Sequence, residues 1–373
     1  MKKRPLFEAI ATLSSTTIGA GILSIPYVIV KAGFFTGLVL IIVLGIVVLF
    51  MNLFLGEITL RTKGNHQLSG YASIYLGKFS KYILTISMMV GIYGALIAYL
   101  IGEGQTLGAI FSINPLIASL IFFVIVSTIV FFGLRAVKSS ELFMMVIVLA
   151  IVILIFFISF DKINLNNLTG FSLGKILLPY GVVLFAFLAQ ASIPEMKEEL
   201  TKERKQFKKA IIIGTLIPLV VYILFVLIVI GITGIDTTQI STIGLGNFLG
   251  EKILIIGNLF AVFAMATSFL TLGLALREMY SYDYKINKNL AWVLTCFIPL
   301  GLFLIGIRNF IETISIAGAV AGGLDGILIA LILWKAKKHG DRKPEFSIRY
   351  DKIIGAVLII VFVIGLIYTL IHL

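Results

Sequence analysis

Long apolar stretches separated by short polar segments make up most of this chain. Eleven of them are long enough to cross a bilayer as a helix, which takes about 20 apolar residues. These predicted spans, numbered one to eleven, cover residues 7–30, 37–60, 81–103, 115–134, 141–160, 175–193, 209–231, 252–276, 289–307, 310–334 and 352–372. Because only helices and closed barrels pair all their backbone groups in lipid, the pattern predicts an all-α integral membrane protein.

The composition agrees with lipid as the natural solvent. Hydrophobic residues make up 60% of the chain and charged residues 13%, whereas soluble domains carry roughly 25% charged residues. A single cysteine, Cys296, excludes a disulfide framework within the chain. The three histidines are scattered, and neither His-Glu-x-x-His nor Gly-x-Ser-x-Gly occurs. We therefore expect neither an enzyme nor a resident cofactor.

The net charge of +12 follows from where the basic residues lie. With the N-terminus on one side, 25 of the 30 lysines and arginines fall on that side. The five on the other side are Lys31, Lys162, Lys175, Lys252 and Arg308. Since positive loops stay in the cytoplasm, we predict a multi-pass protein of the cell membrane with a cytoplasmic N-terminus and an outer C-terminus. The basic residues then face anionic lipid headgroups of the bilayer, and no nucleic-acid partner is needed.

Spans one and six carry signals for an interrupted helix. In span one, residues 14–21 read Ser-Ser-Thr-Thr-Ile-Gly-Ala-Gly, and Pro26 follows. In span six, residues 185–190 bring the polar Gln190 to membrane depth shortly before Pro194. Glycine and proline disfavour a continuous helix, and paired breaks in corresponding spans are typical of a transporter site. The alternative is a kinked or closely packed helix, because small residues are also frequent between spans.

The same residues carry a family resemblance. Residues 17–26 (Thr-Ile-Gly-Ala-Gly-Ile-Leu-Ser-Ile-Pro), followed by Ala-Gly-Phe at 32–34, resemble the first-span signature of amino acid permeases of the amino acid/polyamine/organocation superfamily. Residues 193–200 and the loop 64–78 are similar to the branch that holds the aromatic amino acid (tryptophan/tyrosine) permeases and the amino acid/auxin permeases. The resemblance covers nearly the whole chain, and its first-span motif is poorly specific for the substrate.

This resemblance implies a leucine-transporter-like fold, with five plus five inverted-repeat spans and an eleventh transmembrane helix. The chain is then one domain, with repeat one at about 7–160, repeat two at about 175–334 and the extra span at about 352–372. The implied function is secondary active amino acid transport by alternating access, with cation symport. We expect a monomer and a neutral substrate, aromatic or branched, since neither break holds a fixed charge. The alternative is a membrane sensor or receptor that kept the fold and lost transport.

The resemblance also implies where the substrate binds. The break in span one would contact the substrate carboxylate, and the break in span six would contact its ammonium group and cover its side chain. Span three would add a tyrosine, for which we prefer Tyr93 over Tyr99, because Tyr99 lies nearer the outer surface. The predicted substrate-binding residues are Thr17, Ile18, Gly19, Ala20, Gly21, Ile22, Tyr93, Phe185, Phe187 and Gln190.

The coupling ion stays open between Na⁺ and H⁺. Residues 264–268 read Ala-Met-Ala-Thr-Ser, which resembles a span-eight pattern of sodium-coupled relatives. The candidate sodium ligands are Gly19, Ile22, Ala264, Thr267 and Ser268. Oxygen ligands suit a hard cation, although Thr and Ser hydroxyls also bond the carbonyl one turn back. The candidate proton carrier is Asp325, an acid well inside span ten, and its alternative is a lone acid bonded to nearby groups.

Overall fold

A computed structural model describes residues 5–133 and 141–372, and within them the chain is helical and without strands. Of the predicted cytoplasmic basic residues, Lys2, Lys3, Arg4, Arg135 and Lys138 lie outside this part. Seven described segments are long and apolar enough to cross a membrane. Of the other four predicted spans, one and six are divided, five holds the helix Glu141–Ser159, and nine holds the shorter helix Lys288–Leu304.

The helices are numbered in chain order. The continuous ones are α3 (Phe34–Arg61), α5 (Lys78–Phe111), α6 (Pro115–Phe132), α7 (Glu141–Ser159), α10 (Phe207–Thr233), α12 (Glu251–Glu278), α13 (Lys288–Leu304) and α16 (Asp351–Ile371). The divided spans contain α1 (Pro5–Thr17) and α2 (Ile25–Ala32), α8 (Tyr180–Phe187) and α9 (Ser192–Glu199), and α14 (Phe310–Ala317) and α15 (Gly323–His339). Two short helices in loops are α4 (Leu68–Leu76) and α11 (Ser241–Leu249).

Spans one and six lie side by side at the centre of the bundle. A 3₁₀ turn, Ala20–Leu23, separates α1 from α2 and packs against α8, while α1 packs against α9. The helix α3 contacts both halves of span six, and α10 contacts both halves of span one. On the other side of the breaks, α5 packs against α6, α12 and α14. Both interruptions therefore lie inside protein, where irregular backbone is tolerated at membrane depth.

Spans one and six both restart with a proline in the first turn of their second helix. Pro26 is the second residue of α2, and Pro194 is the third residue of α9. A proline is tolerated there because the first N–H groups of a helix have no partner inside it. The break in span six falls at residues 188–191, because α8 stays helical through Phe187. The predicted position, 185–190, is therefore about one turn too early.

A buried carboxylate organises the end of the bundle where the predicted cytoplasmic loops meet, which we call the basic end. Glu57 of α3 is fully buried. Its carboxylate accepts from Arg61 Nε at 2.8 Å and from Ser347 Oγ at 2.8 Å. It also accepts from the backbone N–H of Ile348 at 2.7 Å, and Lys337 Nζ lies 3.8 Å away. Glu57 and Arg61 are four residues apart on one helix, a spacing at which side chains meet, and the same carboxylate docks the α15–α16 linker onto α3.

Replacing Glu57 by glutamine leaves two cations without their shared anion. We expect Glu57→Gln to lower the free energy of unfolding by about 2 kcal/mol, because a broken buried pair leaves uncompensated charge. The measurement is thermal unfolding in detergent. Glu345→Gln is the control, since Glu345 is exposed and its 2.7 Å pair with Arg342 is worth at most about 1 kcal/mol. Equal melting temperatures for Glu57→Gln and the parent contradict this prediction.

Candidate functional site

A cavity of about 230 Å³ lies where the two breaks meet. Its wall includes the non-helical backbone of both interruptions, at residues 18–19 and 188–191. Residues of α5, α12 and α15 and the adjoining ends of α1, α4 and α8 also belong to the wall. The cavity is therefore bounded by both central spans and by the helices that flank them.

Seven of the ten predicted substrate-binding residues lie on this wall. They are Thr17, Ile18, Gly19, Ala20, Gly21, Phe185 and Gln190. The structure does not bring Ile22 or Phe187 to the cavity, because both are fully buried in packing contacts. The ring of Phe187 meets the ring of Tyr222 edge-on, with centroids 5.0 Å apart.

The tyrosine that α5 contributes to the wall is Tyr99 and not Tyr93. The cavity-lining residues of α5 are Met88, Gly91, Ile92, Ala95 and Tyr99. Their three- and four-residue spacing defines one face of the helix. Tyr93 follows Ile92 directly, so its side chain is rotated about 100° around the helix axis from the side chain of Ile92. The hydroxyl of Tyr93 bonds to the hydroxyl of Tyr280 at 2.6 Å and donates to the carbonyl of Leu294 at 3.0 Å. The prediction that preferred Tyr93 over Tyr99 therefore disagrees with the structure, in which Tyr99 lies on the cavity-lining face of α5 and Tyr93 does not.

Free backbone groups line the first break. The helix α1 ends at Thr17, and Gly19 is extended, with φ −103° and ψ −153°. The 3₁₀ turn Ala20–Leu23 starts directly afterwards. The first N–H groups of a helical turn have no partner within it and carry partial positive charge. This break therefore offers donors suited to an anion such as a carboxylate.

Gly21 allows the first break to approach span six closely. A Cβ atom on Gly21 would lie 2.6 Å from the Cα of Ala186 and 2.7 Å from its Cβ. Gly19 has more room, because a Cβ there meets only Ser268 Oγ, at 3.3 Å. The absence of a side chain at Gly21 therefore sets the distance between the two breaks.

A tyrosine of α10 bridges the ends of both broken helices. The hydroxyl of Tyr222 lies 2.7 Å from the carbonyl of Thr17 and 2.7 Å from that of Ala186. These carbonyls belong to the C-terminal turns of α1 and α8, where intrahelical donors are missing. Tyr222 is fully buried, so its hydroxyl satisfies groups that water does not reach. This role of Tyr222 is not predictable from the sequence, since a tyrosine within an apolar span carries no signal for such a bond.

The candidate sodium ligands come together only in part. Gly19, Ala264, Thr267 and Ser268 all lie on the cavity wall. The hydroxyl of Ser268 is the group nearest to Gly19, and it also interacts with the hydroxyl of Tyr99. The wall thus brings a hydroxyl of span eight next to the break in span one.

The hydroxyl of Thr267 bonds to backbone carbonyls one turn back in its own helix, which is the alternative to a role as sodium ligand. Its hydroxyl donates to the carbonyl of Phe263 at 2.8 Å and to that of Ala264 at 3.2 Å. Ile22, the remaining candidate ligand, is fully buried away from the cavity. Among the described residues, no cluster of three or more His, Cys, Asp or Glu side chains forms a metal site.

Asp325 is the one carboxyl group among the described side chains that line the cavity. It lies on α15 just after a π-helical turn, Gly318–Gly322, and is 6% exposed. One of its oxygens accepts a hydrogen bond from Ser87 Oγ of α5 at 2.8 Å. Its position on the cavity wall agrees with the role of a proton carrier. Its hydrogen bond to Ser87 agrees with the alternative, a lone acid bonded to nearby groups.

The cavity opens toward the basic end. There Thr16, Gln67 and Thr271 belong to its wall and are exposed. At the opposite end, which we call the sealed end, Ser241 of α11 donates to the carbonyl of Leu23 at 2.6 Å. Both residues are fully buried, so α11 closes the bundle over the 3₁₀ turn.

Residues 2–372 match the tryptophan/tyrosine permease family. The chain belongs to this family. The permease is 27% identical over 380 residues to tyrosine-specific transport system 1 of Haemophilus influenzae, which covers 96% of this chain and 94% of that protein. It is 26% identical over 331 residues to glutamine transporter 2 of Aliivibrio fischeri, covering 84% of this chain and 85% of that protein.

A solved structure confirms the fold of the permease. The crystal structure of MhsT in complex with L-phenylalanine matches with a TM-score of 0.72 at 15% identity, over 100% of this chain and 98% of that chain. The permease is an all-α membrane protein with the leucine-transporter-like fold that the sequence resemblance implies. Family membership identifies a transporter of amino acids and not an enzyme, and it favours the transporter over the sensor.

A methyl group at Gly21 overlaps the backbone of α8. We expect Gly21→Ala permease to lose uptake about tenfold or more, because overpacking of roughly 1–3 kcal/mol opposes the contact between the breaks. Radiolabelled amino acid uptake into proteoliposomes measures this. Gly301→Ala on α13 is the control and keeps its uptake, since a Cβ at Gly301 has no neighbour within 4 Å. Uptake within twofold of the parent for Gly21→Ala argues against the close approach.

Removing the hydroxyl of Tyr222 takes the donor away from the buried carbonyl of Ala186 and leaves the carbonyl of Thr17 with only the N–H of Gly19, at 2.9 Å. We expect Tyr222→Phe to destabilise the permease by about 1–3 kcal/mol, as measured by thermal unfolding in detergent. Tyr180→Phe is the matched control, because Tyr180 is equally buried and its hydroxyl has no partner among the described residues. The bridge is disproved if the two variants unfold at the same temperature.

Proposed function

We propose that this permease is a secondary active transporter of a neutral amino acid with an aromatic or branched side chain, working by alternating access and cation symport. The observation that carries the proposal is the cavity between the two breaks. The 3₁₀ turn that follows the first break lies on one side of it, and the C-terminal end of α8 lies on the other. The rest of the wall combines apolar side chains with hydroxyl and amide groups and the carboxyl of Asp325. These are the groups that an amino acid zwitterion with an apolar side chain requires.

The substrate carboxylate binds the N–H groups of the first break, around Gly19 to Ile22. Its ammonium group binds the carbonyl end of α8, where the partial charge is negative. Tyr99 and Phe185 then contact the side chain, from α5 and span six, with Gln190 nearby. No lysine or arginine lies among the described cavity-lining residues, which supports a substrate without an anionic side chain.

The relatives support a neutral substrate. One is named for tyrosine and another for glutamine, and the solved structure holds L-phenylalanine. These three amino acids share an uncharged side chain. The amide nitrogen of Gln190 is buried and has no partner among the described residues, so it is available to a polar side-chain group.

We place the basic end in the cytoplasm, the N-terminus with it, and the C-terminus outside. The open cavity then faces the cytoplasm, which is the side where an importer releases its substrate. The two repeats run from about 7–160 and 175–334, with the extra span at 352–372. We also infer that the permease works as a monomer.

The coupling cation is Na⁺ or H⁺, and each has a candidate site. For Na⁺, carbonyls of Gly19, Ile22 and Ala264 join the hydroxyls of Thr267 and Ser268. The approach of Ser268 to Gly19 supports this set. For H⁺, Asp325 offers a carboxyl on the same cavity.

A thermal-shift screen of all amino acids, with and without Na⁺, tests substrate and ion together. A ligand at about 100 times its Kd stabilises the folded state by about 2.7 kcal/mol. We expect neutral aromatic or branched amino acids to raise the melting temperature, and Na⁺ to raise it further if Na⁺ is the coupling ion. Thr267→Ala then abolishes the sodium effect, while Thr128→Ala keeps it, because Thr128 makes the same kind of bond on the exposed side of α6.

The screen separates the two ions by their outcomes. Under H⁺ coupling, Na⁺ has no effect and Asp325→Asn abolishes uptake driven by a pH gradient. The proposed function fails if no amino acid shifts the melting temperature and none accumulates in proteoliposomes under either gradient.

A further inference from the structure

Glu103 of α5 is a buried acid outside the cavity wall. It follows Tyr99 by one helical turn, so both residues lie on the same side of the helix. Tyr99 lines the cavity, and Glu103 lies about 6 Å further toward the sealed end. Its side chain is 0% exposed. The acid is therefore placed just beyond the cavity, on the side that is closed.

The packing around Glu103 is tight and provides no partner for its carboxyl group. On one side of it, Gly102 packs against Met265 of α12, and on the other, Gly104 packs against Pro115 of α6. Neither carboxyl oxygen of Glu103 has a hydrogen-bond partner in residues 5–133 and 141–372. A buried polar group without a partner is rare in native proteins and requires an explanation.

Among residues 5–133 and 141–372, no ion pair joins Glu103 to a cation either. The neighbouring α6 has no ionisable side chain, and the only one on α14 is the exposed Glu312. The remaining ionisable residues of α5 and of the helices that contact it are Lys78, Lys81, Tyr82, Tyr93, Tyr99, Glu251, Lys252, Arg277, Glu278, Tyr71, Tyr75, Lys288, Cys296, Asp325, Lys335, Lys337, Lys338 and His339.

Burying an isolated carboxylate without a partner costs several kcal/mol, so such a group takes up a proton instead. We propose that Glu103 is the proton-binding group of the sealed end. Its carboxyl is neutral while that end is closed, and it releases its proton to the water on that side when the end opens. This inference rests on the alternating access of the proposed function.

Other buried polar groups at the sealed end point to the same opening. Ser24 Oγ, Thr242 Oγ1 and both side-chain amide atoms of Asn258 are buried and also lack partners among the described residues. Ser24 follows the 3₁₀ turn, Thr242 belongs to the helix that closes the end, and Asn258 lies near the start of α12. Water that enters on opening satisfies all of these groups. Glu103 therefore belongs to a surface that is dry in this conformation and wet in the other.

Closure of the sealed end and proton uptake are then linked. Because closing takes up one proton, the ratio of closed to open molecules rises with acidity on that side, by up to about tenfold per pH unit. Acid outside favours the closed end, and alkali favours the open one. Asp325 differs, because it lies on the cavity wall and has a hydrogen-bond partner in Ser87.

Cysteine accessibility measures this linkage directly. In a Cys296→Ser background, which has no other cysteine, Thr242→Cys reports on the sealed end in proteoliposomes treated with a membrane-impermeant thiol reagent. The labelling rate of Thr242→Cys is measured at external pH values from 6 to 9. At each pH it is divided by the labelling rate of Asn166→Cys, an exposed position at the same end, which gives the labelling ratio. This ratio removes the pH dependence of the thiol itself. We expect the ratio to rise with pH, by up to about tenfold per unit.

Glu103→Gln carries a permanently neutral group, so its ratio stays low at every pH. Glu312→Gln is the matched control and behaves as the parent, because Glu312 is exposed. A ratio that does not change with pH in the parent, or that rises equally in Glu103→Gln, overturns the proposal. Glu103→Met, neutral and of similar size, replaces the glutamine variant if that variant does not fold. Labelling needs no substrate, so its outcome is independent of the amino acid screen.

Discussion

Every backbone N–H and C=O in hydrocarbon needs a partner, and the centre of this permease is arranged around that requirement. An interrupted helix exposes carbonyls at the end of its first half and N–H groups at the start of its second. Spans one and six place these exposed groups close to each other, inside the helix bundle. Gly21 permits the approach, and Tyr222 donates to the exposed carbonyls of both first halves.

The two kinds of exposed group are treated differently, and this difference creates the site. Carbonyls at the ends of α1 and α8 share a protein hydroxyl, which fixes the helix ends in place. The first N–H groups of the 3₁₀ turn after Gly19 have no partner within that turn. Under the proposed function, an amino acid carboxylate would complete this pairing, so binding and backbone satisfaction would draw on the same groups. Recognition of this kind would be common to all amino acids, and selection among side chains would then fall to Tyr99, Phe185 and their neighbours on the wall.

Sequence alone predicts the features that depend on local pattern. The apolar spans follow from bilayer thickness, and the breaks follow from glycines and prolines whose backbone preferences act within one turn. Features that depend on packing between distant segments are not predictable in this way. The helix phase that selects Tyr99 over Tyr93 is set by the contact of α5 with α12 and α14. Tyr222 bonds to Thr17, which lies 205 positions away in the sequence, and to Ala186, which lies 36 positions away. No spacing rule reveals such a bridge.

Two glutamates of the same fold show how partners decide the use of a buried charge. Glu57 and Glu103 are both 0% exposed. Glu57 accepts three hydrogen bonds and has Arg61 and Lys337 nearby, so its negative charge is held in place and ties the linker to α3. Glu103 has no such partner in the described chain, so its charge depends on whether water reaches it. A paired carboxylate of this kind stabilises one arrangement of helices, whereas an unpaired one makes the balance between two arrangements depend on protons.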